Sequence, residues 1–142
     1  MLHRLIYYST AYAGLNYSAL TELMATAERN NKAHNLTGVL FFGNGRFIQL
    51  LEGDREQLTQ TFSAISRDTR HHGVTLMEYA EIDRRDFPSW SMKLVRWPED
   101  RPAGYHNARF DDFTPEWLSG SEMYQMILSL VEGMAAPVAD LT

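Results

Sequence analysis

The chain has 142 residues, of which 44% are hydrophobic and 22% are charged, and its formal net charge is −5. This length suits a single domain, no apolar run approaches the roughly 20 residues that span a bilayer, and the first ten residues hold too short an apolar stretch for a signal peptide. The negative charge argues against a nucleic-acid-binding protein, and the absence of cysteine excludes disulfides, thiolate catalysis and cysteine zinc sites, so we expect a cytoplasmic protein.

The hydrophobic pattern predicts five strands and two helices before a C-terminal segment. The predicted strands are residues 2–9, 36–42, 47–53, 74–82 and 90–96. The first predicted helix starts at Ser18 as N-cap and ends near Asn31, and the second starts after Asp54 and ends near Asp68. The order strand, helix, strand, strand, helix, strand, strand predicts an α+β, ferredoxin-like five-stranded mixed sheet with both helices on one face.

The third predicted strand, FIQLLEG at residues 47–53, has one polar residue on an otherwise apolar face. Phe47, Gln49 and Leu51 share that face, and Ile48 and Leu50 share the other. Since both faces are apolar, we expect this strand to be central in a sheet that is covered on both sides. A buried amide without partners costs about 1–3 kcal/mol, so Gln49 needs hydrogen bonds from neighbouring backbone or from a polar ligand edge.

The C-terminal part of the chain supplies a cover for the helix-free face of the sheet. After Pro98 the composition is loop-like, and Thr114 followed by Pro115 is typical of the start of a helix. An amphipathic helix is then predicted from apolar residues at helical spacing, namely Met123, Met126, Ile127, Leu130, Val131 and Met134. We expect it to pack on the helix-free face, in this subunit or a neighbour's. The chain then divides into a binding domain over residues 1–97 and a C-terminal loop and helical cap over residues 98–142.

The sequence contains no glycine-rich phosphate loop, no G-x-S-x-G and no H-E-x-x-H, so we expect neither an enzyme nor a metal site. Capping at strand and helix ends explains Glu52 and Asp54. The adjacent His71 and His72 belong to a basic connection, residues 67–73, that is interpreted as a solvated turn, with phosphate binding near a pocket mouth as the alternative.

Several polar and aromatic residues can meet beneath the two helices, namely Tyr7, Asn30 or Asn31, Gln49, Trp90 and Met92. An apolar slot with a few amides and a phenol suits a flat heteroaromatic ligand, of which an isoalloxazine is one example. A tyrosine or tryptophan close to such a ring can give it an electron on excitation.

The sequence resembles the BLUF domain, a flavin-binding sensor of blue light. The resemblance covers residues 2 to about 97 and is carried, in the family's order and spacing, by RLIYYS, NN before LTG, FIQLLEG, RDTRHH and FPSWSM. It implies a photoreceptor that binds a flavin non-covalently, FAD with FMN or riboflavin as alternatives. The C-terminal remainder is similar to that of the short, single-domain members, which implies signalling to a separate effector protein.

The resemblance also implies roles for individual residues in the light response. Tyr7, rather than Tyr8, resembles the tyrosine that gives an electron to the excited flavin. Gln49 resembles the switching glutamine that lies between this tyrosine and the flavin. Trp90 and Met92 resemble the pair on the last strand whose exposure changes with light, which implies that they relay the signal and that Met92 also contacts the flavin.

The remaining matched residues resemble those that hold the flavin. Asn31, with Asn30 near it, resembles the asparagine that fixes the polar edge of the ring. The end of the second helix, which lines the family's pocket, is matched by Asp68, Arg70 and His71. Ala64 stands where other members carry Arg or His, which predicts that one polar contact with the flavin is missing.

Two other interpretations stay open at this point. One is a ferredoxin-like regulator or small enzyme that binds a small molecule without photochemistry. The other is a BLUF-like scaffold that contacts partners without a useful photocycle. In each case we expect no nucleic acid and no membrane as partners, and self-association through the apolar C-terminal helix.

Overall fold

The computed structural model describes residues 1–101, 103 and 113–132. The strands are β1 (Leu2–Ala11), β2 (Thr37–Gly43), β3 (Arg46–Asp54), β4 (His71–Glu81) and β5 (Lys93–Trp97). The helices are α1 (Tyr17–Ala33), α2 (Arg55–Ser66) and α3 (Gly120–Glu132), and a short 3₁₀ helix, Pro115–Trp117, precedes α3. No helix in these ranges is long and apolar enough to cross a membrane.

The strands form one mixed sheet in the order β4-β1-β3-β2-β5. β2 and β5 pair in parallel, and the other three pairs are antiparallel. The helices α1 and α2 connect strands that are not adjacent in the sheet, as the ferredoxin-like arrangement requires. The predicted α+β fold is therefore confirmed, with β3 at the centre of the sheet.

The β2–β3 hairpin sets the register of the central strand. Asn44 and Gly45 at its tip have φ values of 49° and 71°, the left-handed backbone that a two-residue hairpin of the primed type needs. This turn places Gln49 opposite Leu40 on β2, while the β1 pairing places it opposite Tyr7. The GNG sequence thereby decides which side chains flank the buried amide.

Apolar side chains cover both faces of the sheet. On the Gln49 face, Leu20 of α1 packs with Leu40 and Phe47, and Leu58 of α2 packs with Leu36 and Leu51. On the opposite face the core includes Ile6, Ile48 and Leu50 of the sheet and Met123, Met126, Ile127 and Leu130 of α3. The prediction that the C-terminal helix covers this face is confirmed within one subunit, while Met134 lies outside the described residues.

The predicted starts of two helices were wrong. The N-cap of α1 is Asn16, two residues before the predicted Ser18, and its Oδ1 accepts a hydrogen bond from the Ala19 N–H at 2.8 Å. The Thr114–Pro115 signal produces only the 3₁₀ turn. α3 instead starts after a capping box, in which Ser119 and Glu122 each bond the other's backbone N–H.

The last strand also starts later than predicted, and Trp90 and Met92 do not share a face. Residues 87–90 form a turn in which the Trp90 N–H bonds the Phe87 carbonyl, with Pro88 at the second position where turns favour proline. This turn directs Trp90 into the core beneath α3, whereas Met92 packs on the α1 and α2 side. The two-residue alternation of a strand does not apply to Trp90 and Met92, because β5 begins only at Lys93.

Candidate functional site

A cavity of about 220 Å³ lies between the sheet and helices α1 and α2. Its apolar wall includes Leu23, Ala27, Leu40, Phe47 and Ile65. The predicted cofactor-binding residues that line it are Tyr7, Asn30, Asn31, Gln49, Asp68, Arg70 and His71. Such a slot, apolar with a few convergent polar groups, is typical of a small-molecule site.

Tyr7 and Gln49 form a buried hydrogen bond at the sheet wall of the cavity. Their side chains are each 4% exposed, and the Tyr7 hydroxyl donates to Gln49 Oε1 at 2.5 Å. Burial, together with the nearby Asp68 carboxylate, raises the pKa of the Tyr7 phenol well above its usual value. The phenol therefore keeps its proton, and it orients the amide with Oε1 toward Tyr7.

The other end of the Gln49 amide faces Met92. Gln49 Nε2 lies 3.7 Å from the Met92 sulfur, and a thioether is a weak acceptor. Among the described residues, this sulfur is the one acceptor within hydrogen-bonding distance of Nε2, although Nε2 carries two N–H groups. Neighbouring backbone does not satisfy the amide, so Gln49 retains donor capacity for a ligand in the cavity.

The two adjacent asparagines connect α1 to different parts of the site. Asn31 is buried, and its Nδ2 donates to the Ser91 carbonyl at 2.6 Å, which fixes the residue before Met92. Asn30 reaches Thr61 of α2 at 3.5 Å, the limit of a hydrogen bond. Asn31 thus holds the lead into β5, whereas Asn30 makes a weaker bridge between the helices.

Replacing Asn31 by alanine is expected to lower the free energy of unfolding by about 1–3 kcal/mol, because the Ser91 carbonyl loses its buried donor. The matched change Asn30→Ala removes only the long contact and should cost less than about 0.5 kcal/mol. Urea unfolding of both variants without added flavin measures the difference. Equal losses would contradict the assigned role of Asn31.

Asp68 and Arg70 form an ion pair at the α2 end of the cavity. Arg70 Nε donates to both carboxylate oxygens of Asp68, at 2.9 and 3.1 Å, and these hydrogen bonds hold the pKa of Asp68 below its usual value. The pair is therefore charged at neutral pH. Because the Arg70 guanidinium is already paired with Asp68, it would bind an anionic group of a ligand more weakly than an unpaired guanidinium would.

His71 is buried at the start of β4, so the prediction of a solvated turn was wrong for this residue. Its Nε2 lies 2.7 Å from the Ile65 carbonyl, which can only accept, and its Nδ1 lies 2.7 Å from the Ser9 hydroxyl. His71 therefore donates from Nε2, and its ring meets Tyr7 edge-on at 6.4 Å. His72 is exposed and packs on Tyr12.

The structure brings Met92 to Gln49 but places Trp90 away from the cavity. Trp90 stacks on Phe87, with ring centroids 5.5 Å apart and planes 9° from parallel, and contributes to the α3 core. Met92 and Trp90 thus contact opposite sides of the sheet, although only Ser91 separates them.

Glu52 is a structural residue whose partners the sequence analysis missed. It does not cap an element: its carboxylate is fully buried and accepts the backbone N–H groups of Asp86 and Phe87. Burial raises the pKa of this carboxyl, although the hydrogen bonds oppose that rise. The signal in the sequence was an acidic residue inside the apolar run LLEG, the same kind of interruption that singled out Gln49.

Comparisons with known proteins agree on one family. The family model for BLUF, described as sensors of blue-light using FAD, matches residues 2–93. Photoactivated adenylate cyclase subunit beta of Euglena gracilis is 35% identical over 92 residues, which are 64% of this chain and 11% of that protein. The blue light- and temperature-regulated antirepressor BluF of Escherichia coli K12 is 36% identical over 86 residues, 59% of this chain and 21% of that one.

A solved structure extends the likeness over most of the chain. The dark-state structure of BlrB, a BLUF protein, is 28% identical with a TM-score of 0.75, and the match covers 90% of this chain and 96% of that one. The curated relatives are much longer: the chain spans about a tenth of the cyclase subunit and about a fifth of the antirepressor. The shared part is the segment that contains the cavity.

Proposed function

Since the chain belongs to the BLUF family of blue-light sensors that use FAD, we propose that it is a blue-light photoreceptor whose flavin lies in the cavity between the sheet and helices α1 and α2. The observation that carries this proposal is the buried hydrogen bond from Tyr7 to Gln49, with Met92 at the other end of the amide. This arrangement combines an electron donor and a rotatable donor–acceptor group at the wall of one cavity.

The residues of the cavity fit a flavin. Leu40, Phe47 and Ile65 offer apolar surface to a flat ring, and the amides of Asn31 and Gln49 offer donors and acceptors to its polar edge. When bound, the flavin supplies absorption of blue light and an electron acceptor in its excited state. We propose FAD as the cofactor, bound with one polar contact fewer because Ala64 contributes none.

Tyr7 is the proposed electron and proton donor. It gives up one electron and its phenolic proton after excitation, and it receives both back, so the cycle has no net redox change. Gln49 is the proposed proton relay, because its Oε1 already accepts the Tyr7 hydroxyl proton in a hydrogen bond. After the return, the Gln49 amide is left rotated or tautomerised with a different set of hydrogen bonds.

A rotated Gln49 amide would no longer fit Met92. Rotation turns Oε1 toward the sulfur that Nε2 now faces, and two acceptors without a proton between them repel each other. Met92 must then move, and Ser91 and Trp90 precede it directly in the chain. Because Trp90 packs in the α3 core, we propose that this movement reaches the C-terminal helix.

The proposed output is binding or release of a separate effector protein, without a reaction catalysed by this chain. The C-terminal cap over residues 98–142 is the proposed contact region, and α3 is its described helix. We further propose that the protein acts in the cytoplasm. Nothing in its acidic composition favours nucleic acid as the effector.

Purification in the dark tests the cofactor assignment. We expect a yellow protein that releases FAD on denaturation, and an apoprotein that binds riboflavin within about tenfold of its FAD affinity, because Ala64 supplies no polar contact to the cofactor. Titration of the apoprotein with FAD, FMN and riboflavin measures this ratio. A protein that stays colourless after each addition would favour the alternative of a regulator without photochemistry.

A further inference from the structure

A buried carboxylate lies at the end of the central strand, on the side of the sheet that α3 covers. Glu52 has no exposed surface, and it pairs in the sheet with Arg4 on β1 and Thr37 on β2. A charge in such a position is costly unless hydrogen bonds satisfy it, so its partners indicate what the side chain does.

Two of the three hydrogen-bond donors to the Glu52 carboxylate belong to the loop that leads into β5, and the third is on β2. Oε2 accepts the Asp86 N–H at 2.6 Å, and Oε1 accepts the Phe87 N–H at 3.0 Å and the Thr37 hydroxyl at 3.0 Å. Two consecutive backbone N–H groups are therefore bound by one side chain. Such bonds fix both the position and the direction of the backbone, which an apolar contact would not.

Arg85 completes this anchor from the loop side. Its Nη1 donates to the Thr37 hydroxyl at 2.8 Å and to the Glu52 carbonyl at 3.0 Å, and its Nη2 donates to the Asn35 carbonyl at 2.7 Å. The Thr37 hydroxyl thus accepts from Arg85 while it donates to Glu52. The start of the loop is bound to β2 and β3 through both residues.

The segment between this anchor and Met92 is short and further constrained. Trp90 is buried by its stack on Phe87, and its carbonyl accepts the Gly38 N–H at 2.8 Å. The Ser91 carbonyl accepts Asn31 Nδ2. With few free dihedral angles left, the position of Met92 against Gln49 depends on where Glu52 holds Asp86 and Phe87.

From these contacts we infer that Glu52 is a positioning residue for the photoactive site: it holds the start of the segment 86–91 and thereby presses Met92 against the Gln49 amide. It acts through the loop, because it lies on the other face of the sheet and does not line the cavity. The effect on the light response rests on the proposed function, whereas the effect on Met92 does not.

The substitution Glu52→Gln tests this inference. An amide nitrogen in place of either oxygen puts a donor against the Asp86 or Phe87 N–H, so at least one bond is lost while the shape is kept. We expect dark recovery to slow by about threefold to tenfold, since a looser Met92 repels the rotated amide less and so favours its return less. The ¹³C-methyl NMR signal of Met92, assigned with Met92→Leu, should shift or broaden.

Glu116→Gln is the matched control, because it makes the same chemical change in an ion pair with Arg46, at the opposite end of β3 from Glu52. Its recovery rate and Met92 signal should match those of the wild type. Should Glu52→Gln fail to fold, Arg85→Gln removes the Arg85 part of the anchor, keeps the bonds of Asp86 and Phe87 to Glu52, and should give the same two changes to a smaller extent.

The outcomes separate this inference from the proposed function. A folded Glu52→Gln protein with an unchanged Met92 signal and an unchanged recovery rate would overturn the inference alone. If the wild-type spectrum does not respond to light, the proposed function fails, and the Met92 signal, recorded in the dark, still decides whether Glu52 positions Met92.

Discussion

Replacing Gln49 by leucine is expected to give a folded, yellow protein whose absorption spectrum no longer shifts under blue light. Leucine has a similar volume and suits a strand face that already carries Phe47 and Leu51, so the sheet should form. The side chain that accepts from Tyr7 and turns toward the ligand is removed, and with it the rearrangement that we propose as the signal.

The stability of Gln49→Leu should also change in a defined way. The buried Tyr7 hydroxyl loses its acceptor, which costs about 1–3 kcal/mol and is partly offset by the more apolar side chain. Gln60→Leu, the same change at an exposed position of α2, is the control and should retain a normal shift. A normal light-induced shift in Gln49→Leu would remove Gln49 from the switch.

Replacing Tyr7 by phenylalanine is expected to remove the normal photocycle and to leave the flavin bound. The substitution keeps the aromatic ring in contact with Phe62 and His71 but deletes the hydroxyl that donates to Gln49, so the loss of stability should be about 1–3 kcal/mol. The effect on the light response should be far larger, because the proposed electron and proton donor is gone.

Tyr8→Phe is the matched control for this experiment, since the chain places two tyrosines side by side on opposite faces of β1. Tyr8 packs against the α3 core and lies under the Arg46 guanidinium, 5.4 Å from its ring centroid. Its loss should leave the photocycle intact. Transient absorption after a blue flash compares the two variants, and a wild-type cycle in Tyr7→Phe would contradict the assignment.

Much of the fold could be predicted from the sequence because two regular periods govern it. The two-residue alternation of FIQLLEG put Gln49 on one face of its strand, the resemblance implied Tyr7 as its partner, and the structure pairs these residues directly. The helical spacing from Met123 to Leu130 predicted the cover of the opposite face, and α3 packs there. A hydrophobic period is a local property of a sequence, so the buried face of a regular strand or helix can be predicted from it.

The errors fall where a few specific hydrogen bonds replace a period. The turn at residues 87–90 sends Trp90 and Met92 to opposite sides of the sheet, and strand alternation could not predict this. The role of Glu52 depends on loop N–H groups more than thirty residues later in the chain. His71 is buried because Ser9 and Ile65 surround it, which only the folded chain brings about.

The visible absorption spectrum of the purified protein, recorded in the dark and after blue light, tests the central claim most directly. The proposed function predicts a flavin spectrum that moves to longer wavelength on illumination and returns in the dark. A flavin spectrum that stays fixed would contradict photochemistry at Gln49, and no visible absorption after added flavin would contradict the assignment of the cavity as a flavin site.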